Sequence, residues 1–347
     1  MKKYIIKHKK FLISLVAVIL TAVLVFGGYV GYRMFAAAPE TQHSYGEIYE
    51  QKQVVINTDE KGQLRVLKIN DTHFFDGTCS SDKNTLDDLK VIFDKTPCDF
   101  IVLDGDIVDG FNLKLSYDKY TAIDLLAQLI ESYNTPWTFA PGNNDSEIDG
   151  ENEDVIAFMM QYENFVCGNE KGVDGDMQFF ADVMHNGELV HTIAIMDSGS
   201  RTVKAIGKYD YIKESQINWL LDEIEERRVK TSVFFHMATP AFKAAYENGE
   251  AYDGMPREEL FPFDEIPKNV LFDDMTKGNE YISLISTGHI HSNNLCSFYK
   301  GRYYQLSSVS GYSAMRMPGS VPSCTLTVID TNQTDTQKMY SFEKIEA

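Results

Sequence analysis

The sequence contains few cysteines, and none of them has the spacing of a zinc site. The five residues Cys79, Cys98, Cys167, Cys296 and Cys324 form no CxxC pair. An odd number of cysteines in a chain of 347 residues does not indicate a disulfide framework, which is typical of much shorter secreted domains. We expect most of these side chains to be buried as small apolar groups. Low-complexity tracts and internal repeats are also absent, which excludes fibrous and repeat architectures.

Acidic residues are missing from the first 39 positions, and basic residues are scarce beyond them. Six of the 32 lysines and arginines lie in this N-terminal part, so the remainder has 26 basic against 51 acidic residues, a net charge of −25. The electrostatic field of this negative charge repels polyanions at long range, and the sequence contains no basic stripe that would attract them. The composition therefore disfavours nucleic acid as a partner, although bound cations would reverse the sign locally and admit a small anion.

One long apolar run lies near the N-terminus. Residues Phe11–Val30 read FLISLVAVILTAVLVFGGYV and contain no charged side chain. At about 1.5 Å per residue, twenty helical residues span the roughly 30 Å hydrocarbon core of a bilayer. The lysines that precede the run predict a cytoplasmic N-terminus and a domain outside the cytoplasm. The alternative is a signal peptide cleaved near Ala36–Ala38, which would secrete the same domain.

The remaining sequence indicates one large domain after a short connection. We predict a basic cytoplasmic N-terminus over residues 1–10, a transmembrane anchor or signal peptide over 11–33, a polar spacer over 34–60 and a folded domain over 61–347. Within the domain, short β-branched runs alternate with amphipathic helical patterns, which predicts an α/β fold with partly parallel sheets. The strongest short signal is Asn186-Gly187 between two alternating runs, which predicts a β-hairpin.

Strands and helices are predicted in eleven segments. The strands are Leu64–Asn70, Phe100–Leu103, Trp137–Ala140, Gln178–Met184, Leu189–Met196, Ser232–Phe235, Tyr281–Ile285 and Thr325–Ile329, and the helices are Thr85–Lys95, Tyr120–Ile130 and Glu214–Arg228. A further hairpin is predicted around Lys300-Gly301.

Five polar clusters directly follow five of the predicted strands. They are Asp71-Thr72-His73, the stretch from Asp104 to Asp109, the stretch from Pro141 to Asp145, the single His236, and Gly288-His289-Ile290-His291. Each cluster alone is more typical of a turn or of a structural histidine. Together they contain four of the eight histidines of the chain. Because the carboxyl ends of parallel strands meet at one edge of a sheet, we expect these side chains to lie together.

The side-chain types in these clusters indicate a metal site. Carboxylate, imidazole and amide oxygen suit Mn²⁺, Fe or Zn²⁺, and no thiolate is present to favour a softer ion. One carboxylate can bridge two ions about 3.5–4 Å apart. The sequence therefore predicts a joint site for two divalent or trivalent metal ions.

In this order the clusters resemble the signature of calcineurin-like metallophosphoesterases, D-x-H, G-D-x-x-D, G-N-H-D/E, H and G-H-x-H. The resemblance covers about Leu64–Ser310 and includes the Gln-containing helix segment Tyr209–Leu221. It implies two mixed β-sheets packed as a sandwich flanked by helices, in addition to the N-terminal transmembrane helix. It also implies hydrolysis of a small phosphomonoester or phosphodiester by metal-activated water, here outside the cytoplasm.

The resemblance also implies a role for each site residue. The first metal would be bound by Asp71, His73 and His291, the second by Asn143, His236 and His289, and Asp106 would bridge them. Purple acid phosphatases have a tyrosine ligand where this chain has Asp109, so no tyrosinate chromophore is expected.

One departure from the signature concerns catalysis at Asn144 and Asp145. Asn144 stands where the family has a histidine that contacts the phosphate and protonates the leaving oxygen. An amide donates a hydrogen bond but delivers no proton at neutral pH, and general acid assistance is typically worth about 10²–10⁴-fold. Asp145, which would orient that histidine, is expected to bond Asn144 or water. His185 and His191 are candidate substitutes, but a structural role is favoured for both.

Three functions follow as hypotheses. The first is a dinuclear phosphoesterase, the second is a catalytically impaired surface protein that binds metal or phosphate, and the third is a nuclease-like enzyme, which the acidic composition opposes. Residues 240–278 are either a substrate lid or a surface insertion. Tyr312 and Arg316 are candidate phosphate contacts. The sequence predicts no oligomeric state.

Overall fold

The computed structural model describes residues 14–28, 41–50, 53–109, 119–145, 152–200, 209–259, 263, 267–316 and 319–347. The chain divides into two compact units, Met1–Ala38 and Pro39–Ala347. In the first unit, residues 14–28 form helix α1, whose side chains are all exposed. Among the described residues, no helix combines the length and the apolar character needed to cross a membrane. The ends of the predicted span Phe11–Val30 lie outside the described residues, and the transmembrane helix stays a prediction.

The second unit is built on two β-sheets. Its described strands are β1 (Val54–Asn57), β2 (Gln63–Ile69), β3 (Phe100–Leu103), β4 (Trp137–Phe139), β5 (Gln178–His185), β6 (Glu188–Met196), β7 (Thr231–Phe234), β8 (Glu250–Ala251), β9 (Ile282–Thr287), β10 (Leu295–Tyr299), β11 (Arg302–Leu306), β12 (Cys324–Asp330) and β13 (Tyr340–Ile345). The eight-stranded sheet has the order β1-β5-β6-β7-β9-β11-β10-β8, and the five-stranded sheet has the order β13-β12-β2-β3-β4.

Helices cover these sheets. They are α2 (Ser80–Lys95), α3 (Lys119–Glu131), α4 (Asn152–Met159), α5 (Glu214–Arg227), α6 (Pro240–Asn248), α7 (Leu271–Met275) and α8 (Thr336–Met339), preceded by a 3₁₀ helix at Tyr45–Glu50. The predicted α/β fold with two mixed sheets and flanking helices is confirmed.

Two buried apolar clusters stabilise this arrangement. The first joins residues of both sheets with α2, α3 and α4, and the second packs α5, α6 and α7 against the eight-stranded sheet. Phe242 of α6 and Phe272 of α7 are both buried in the second cluster. These two helices of the 240–278 segment are thus part of the folded core. Of the five cysteines, all free, Cys167, Cys296 and Cys324 are buried.

Two hairpin turns follow from residues that tolerate a left-handed backbone. Asn186 and Gly187 have φ angles of 51° and 83° between β5 and β6, and Lys300 and Gly301 have φ angles of 48° and 86° between β10 and β11. A positive φ at both central positions is the requirement of a type I′ turn, and Asn-Gly satisfies it at low cost. Both predicted hairpins are confirmed.

The strands that precede the five polar clusters run parallel within their sheets. In the five-stranded sheet β2 pairs with β3 and β3 pairs with β4, and in the eight-stranded sheet β7 pairs with β9, all in parallel. Three clusters therefore follow strands of one sheet and two follow strands of the other. The expectation of a single sheet edge is wrong in this respect, because the site is formed where the edges of two sheets meet.

Burial of His191 predicts an acid-sensitive stability. Its Nε2 lies 2.9 Å from Ser232 Oγ, and burial, with a smaller effect of Lys230, lowers its pKa to about 3. The unfolded chain binds a proton at this histidine below its ordinary pKa of about 6.5, and the folded chain does not, so stability is lost as the pH falls from 6.5 towards 3. As the pH is lowered from 7.5 to 5, we expect the free energy of unfolding of His191→Phe to rise by ~2 kcal/mol relative to that of wild type.

The measurement is urea unfolding of both proteins at several pH values in the presence of a chelator. The matched variant is His185→Phe, at a half-buried histidine of the same hairpin that lies 2.8 Å from Thr58 Oγ1. A wild-type protein whose stability relative to His191→Phe is constant over this pH range would contradict the prediction.

Candidate metal centre

The loops of the candidate site adopt a strained backbone. Asp71, His73, Asp106 and His289 have φ angles of 51°, 47°, 48° and 72°, a region that non-glycine residues rarely occupy. Such conformations persist only where the surroundings enforce them, and they are concentrated at functional sites. Here the Asp71 N–H donates to the Gly105 carbonyl and the His73 N–H donates to the Asp106 carbonyl, both at 3.0 Å. The loops after β2 and β3 therefore hold each other in place.

These loops bring six of the predicted ligands into two adjoining groups. The nitrogen and oxygen atoms of Asp71, His73, Asp106 and His291 form one group, and those of Asp106, His236 and His289 form another, each within 4.8 Å. Asp106 belongs to both groups. Its Oδ2 lies 3.6 Å from His73 Nε2 and 3.3 Å from His236 Nε2. A carboxylate in this position can bridge two cations.

Several acceptor atoms of the site are buried without a partner. Asp71 Oδ1, Asn143 Oδ1 and His236 Nε2 are inaccessible to water and have no hydrogen-bond partner among the described residues. Burying such atoms unsatisfied costs free energy. His73 Nε2 also faces His291 Nε2 at 3.0 Å. Converging lone pairs of this kind fit a bound cation, so the donor set suits the metal ions that the sequence predicts.

Hydrogen bonds to main-chain carbonyls determine which ring nitrogen of His236 and of His291 faces the site. His236 Nδ1 donates to the Asp104 carbonyl at 2.7 Å, and His291 Nδ1 donates to the Met315 carbonyl at 2.8 Å. Because a carbonyl only accepts, Nδ1 must bear a proton in both rings, so the neutral form of each ring has its lone pair on Nε2. Both Nε2 atoms point into the site.

The carboxylates make the site strongly attractive to positive charge. Burial alone would lower the pKa of His236, but the charges of Asp106 and Asp71 outweigh it and raise the pKa to about 10. For the same reason the neighbouring histidines overcome the effect of burial on Asp71 and Asp106, and hold the pKa of both carboxyls below the usual range. The field that retains a proton on His236 would equally retain a cation.

Asp71 is fixed so that one carboxylate oxygen without a hydrogen-bond partner faces the site. Asp71 Oδ2 accepts hydrogen bonds from Asn70 Nδ2 at 2.7 Å and from the His289 N–H at 2.9 Å, which leaves Oδ1 for a ligand. Gly142 allows a close approach of two loops, because a Cβ there would lie 2.1 Å from the Asp106 nitrogen. Any side chain at position 142 would displace the loop that holds Asp106.

Asp145 has a different environment from the expected one. Its Oδ2 accepts from the N–H groups of Asp106 and Gly142, and its Oδ1 accepts from those of Ile107 and Val108, at 2.8–3.3 Å. These bonds tie the loop after β4 to the loop after β3. Asp145 bonds the backbone, therefore, and neither carboxylate oxygen is directed to Asn144.

Asn144 itself contacts the shared carboxylate. Its N–H donates to Asp106 Oδ1 and its Nδ2 donates to Asp106 Oδ2, both at 2.7 Å. Asn144 is buried. In this position Asn144 orients Asp106 and contributes no acidic proton.

The other sequence-level candidates lie outside the two groups. Tyr312 donates to Asp88 Oδ2 at 2.7 Å, and Arg316 donates to the Tyr312 carbonyl at 2.9 Å, so both are used by the fold. His185 and His191 also bond protein groups away from the site.

Three contributors to the site were missed in the sequence. They are Asn70, which holds Asp71, Met315, which orients His291 through its carbonyl, and Tyr209, whose ring meets that of His289 edge-on at 4.6 Å. Asn70 adjoins the first cluster and could have been noticed. Every residue has a main-chain carbonyl, so the residue type at position 315 does not indicate that its carbonyl orients a ligand.

A third group of acidic and thiol side chains lies apart from the site. Asp76, Cys79 and Asp82 come together at the start of α2. Asp82 Oδ2 accepts three backbone N–H groups, from Phe75, Asp76 and Gly77. These contacts hold the loop that precedes α2, and Asp82 itself lies in the first turn of the helix, where carboxylates are favoured.

Comparison with known proteins identifies the fold family. The sequence profile described as calcineurin-like phosphoesterase matches residues 64–293. The chain belongs to this family. The calcineurin-like phosphoesterase domain thus includes all seven predicted metal ligands and both predicted catalytic positions.

Relatives and structures of known proteins agree with this assignment. The chain is 26% identical over 312 residues to probable inactive purple acid phosphatase 14 of Arabidopsis thaliana, covering 76% of this chain and 74% of the relative. It is 24% identical over 314 residues to probable inactive purple acid phosphatase 29 of the same plant, covering 78% of each. A dimetal phosphatase from Danio rerio superposes with a TM-score of 0.50 at 10% identity, covering 76% of this chain and 95% of that protein, and shows the shared fold.

Proposed function

We propose that this calcineurin-like phosphoesterase is a dinuclear-metal-dependent hydrolase of small phosphomonoesters or phosphodiesters. The observation that supports it most is Asp106, whose carboxylate belongs to both ligand groups. Asp71, His73 and His291 would hold one ion, and Asn143, His236 and His289 would hold the other. Mn, Fe or Zn suit this donor set.

The residues of the site have distinct tasks in this proposal. When bound, two such cations lower the pKa of a water molecule and neutralise the charge of a phosphoryl group. Asp71 and Asp106 are oriented by hydrogen bonds from Asn70, the His289 N–H and Asn144, so their remaining lone pairs face the site. Met315 and Asp104 fix the rings of His291 and His236 through their carbonyls. The chain supplies positioning and charge, the main terms in phosphoryl transfer.

A second candidate function rests on Asn144. A site that binds metal but has no group at position 144 able to donate a proton would bind phosphate compounds and turn them over slowly. The word inactive in the names of the Arabidopsis relatives also supports this alternative. The two functions differ in turnover and agree in metal content.

Metal depletion and reloading test the proposed function. We expect protein treated with a chelator to lose hydrolysis of an activated aryl phosphate or diester, and added Mn²⁺ to restore it. Because the ions bind the folded state, Mn²⁺ at about 1,000 times its Kd would also add about 4 kcal/mol per bound ion to the free energy of unfolding. Metal analysis of the purified protein gives the stoichiometry. Absence of bound metal and of turnover would rule out the proposal, and two bound ions without turnover would favour the second candidate.

We place the catalytic domain outside the cytoplasm, attached by the apolar segment Phe11–Val30 or secreted after its cleavage. The support is the sequence alone, with five lysines before the run and no acidic residue up to position 39. Cell fractionation of the full chain and of a chain without residues 1–40 tests the location. Recovery of both in the cytoplasmic fraction would contradict it.

A further inference from the structure

A buried ion pair lies directly behind the candidate metal centre. Lys68 and Asp104 are both fully buried, and Lys68 Nζ lies 3.6 Å from Asp104 Oδ2. The ammonium also donates to the Thr287 carbonyl at 2.6 Å. Neither carboxylate oxygen of Asp104 has a hydrogen-bond partner among the described residues. The charge of Lys68 is therefore the main attraction that this carboxylate experiences.

The pair connects the ends of three strands that precede metal-ligand clusters. Lys68 lies in β2, three residues before Asp71, and Asp104 directly follows β3, two residues before Asp106. Thr287 is the last residue of β9, two residues before His289. Since β2 and β3 belong to the five-stranded sheet and β9 to the eight-stranded sheet, Lys68 bridges the two sheets at the edge where the site forms.

Asp104 continues this connection to a ligand. Its main-chain carbonyl accepts the Nδ1 proton of His236 at 2.7 Å, and its N–H donates to the Ile69 carbonyl at 2.7 Å. The orientation of the Asp104 peptide groups therefore determines where the His236 ring points. Outer groups that orient a ligating histidine typically change metal affinity by about 10–100-fold when they are removed.

Stability alone does not explain such a pair. Burying two charges costs several kcal/mol per ion, and replacing a buried ion pair by apolar side chains of similar volume is often neutral or stabilising. A lysine and an aspartate at these positions thus require another reason. Their contacts lead to Asp71, Asp106, His236 and His289.

We propose that Lys68 and Asp104 are positioning residues for the second metal ion, the one that Asp106, His236 and His289 would hold. The inference rests on the proposed dinuclear site. The pair fixes the register between the two sheets and the direction of the His236 ring, so that Nε2 of His236 and the carboxylate of Asp106 would both reach the same ion. We expect the first ion to depend less on the pair, because the Asp104 carbonyl orients His236, which is a predicted ligand of the second ion only.

The test separates positioning from stability with a paired replacement. In Lys68→Met the carboxylate of Asp104 is left buried without its counter-charge, and we expect a large loss of thermal stability. In the double variant Lys68→Met/Asp104→Leu both charges are removed, and most of that stability should return. We expect the double variant to bind the first Mn²⁺ as wild type does and the second about 10–100-fold more weakly. Calorimetric titration gives both affinities. In the double variant, the electron paramagnetic resonance signal of a coupled Mn²⁺ pair should be lost at limiting metal, because the second ion binds weakly.

Arg302→Met is the matched control. Arg302 is also a buried cation, and its guanidinium donates to the Thr276 and Asn279 carbonyls at 2.7 and 3.1 Å, outside the two ligand groups. Its replacement should lower stability and leave both Mn²⁺ affinities unchanged. Asp104→Asn, which keeps the side-chain shape, provides a second variant if the double replacement does not fold, and it should weaken the second ion as well.

The outcomes distinguish this inference from the proposed function. If wild type binds no pair of Mn²⁺ ions, the dinuclear function fails. If wild type binds two ions, and the double variant and Asp104→Asn bind both with wild-type affinity, the pair is only structural and the inference is overturned.

Discussion

Asp106→Asn is expected to reduce kcat/KM for phosphoester hydrolysis by roughly 10³-fold or more. The carboxylate lies within reach of both ligand groups, with Oδ2 3.6 Å from His73 Nε2 and 3.3 Å from His236 Nε2. An amide is neutral, so the variant cannot bridge two cations as a carboxylate does. Loss of metal-based stabilisation of several kcal/mol corresponds to at least three factors of ten in rate. The bound metal should fall from two ions to one or fewer per chain.

Asp197→Asn is the control for this experiment. Asp197 is a buried aspartate that directly follows β6, as Asp104 follows β3, but its oxygens accept the N–H groups of Asp176 and Gly199. Its replacement should affect folding stability and leave metal content at two. An Asp106→Asn protein that retains two ions and wild-type kinetics would exclude a bridging role and, with it, the dinuclear mechanism.

The sequence was sufficient to predict the α/β class because strand and helix signals were local. The runs around Phe100–Leu103 and Glu214–Arg228 have the length and periodicity of buried strands and amphipathic helices, and the structure agrees closely. Asn186-Gly187 and Lys300-Gly301 predicted hairpins through the backbone conformation that they tolerate. The family signature supplied the two-sheet arrangement, which no local pattern contains.

The division of the site between two sheets could not be read from strand patterns. The strands before Asp71 and His289 are both short buried runs, and nothing in them indicates which sheet each one joins. Pairing partners depend on contacts between distant segments, such as β2 with β12 near the C-terminus. The clusters were expected to converge because their strands are parallel, and the structure places six of the seven predicted ligands in two adjoining groups.

The groups that orient the ligands were the least predictable part of the site. Lys68 was not singled out in the sequence, yet it is buried and bonds the Thr287 carbonyl on the other sheet. Asp145 was expected to bond Asn144 or water, but it accepts four backbone N–H groups. Both roles depend on the path of the main chain in a neighbouring loop. Residue type at one position contains no information on that path.

Asn144→His is expected to raise the hydrolysis of alkyl phosphoesters by about 10²-fold. Alkyl leaving groups are strongly basic and need a proton as the ester bond breaks, and Asn144 cannot supply one. A histidine in this position could act as a general acid, which is typically worth about 10²–10⁴-fold. We expect the lower end of this range, because Asp145 is already bound to the backbone and is not available to orient the new ring.

The choice of substrate decides whether this gain reports proton transfer. An activated aryl ester releases a weakly basic group that needs no acid, so its rate should change little in Asn144→His. The ratio of alkyl to aryl kcat/KM should therefore rise with the alkyl rate, and the alkyl reaction should acquire a decline at high pH as the new imidazole loses its proton. Asn144→Gln, which keeps the amide and extends the side chain, should leave the ratio unchanged.

The same ratio in the wild-type protein tests the role that we assign to Asn144. Asn144 donates to both oxygens of Asp106 through its N–H and Nδ2, each at 2.7 Å, so wild type should position Asp106 well and still lack an acid at residue 144. It should hydrolyse aryl esters and leave alkyl esters nearly untouched. A wild-type enzyme that cleaves both at similar rates must obtain the proton from another group, and the assignment of Asn144 as the missing acid would then be wrong.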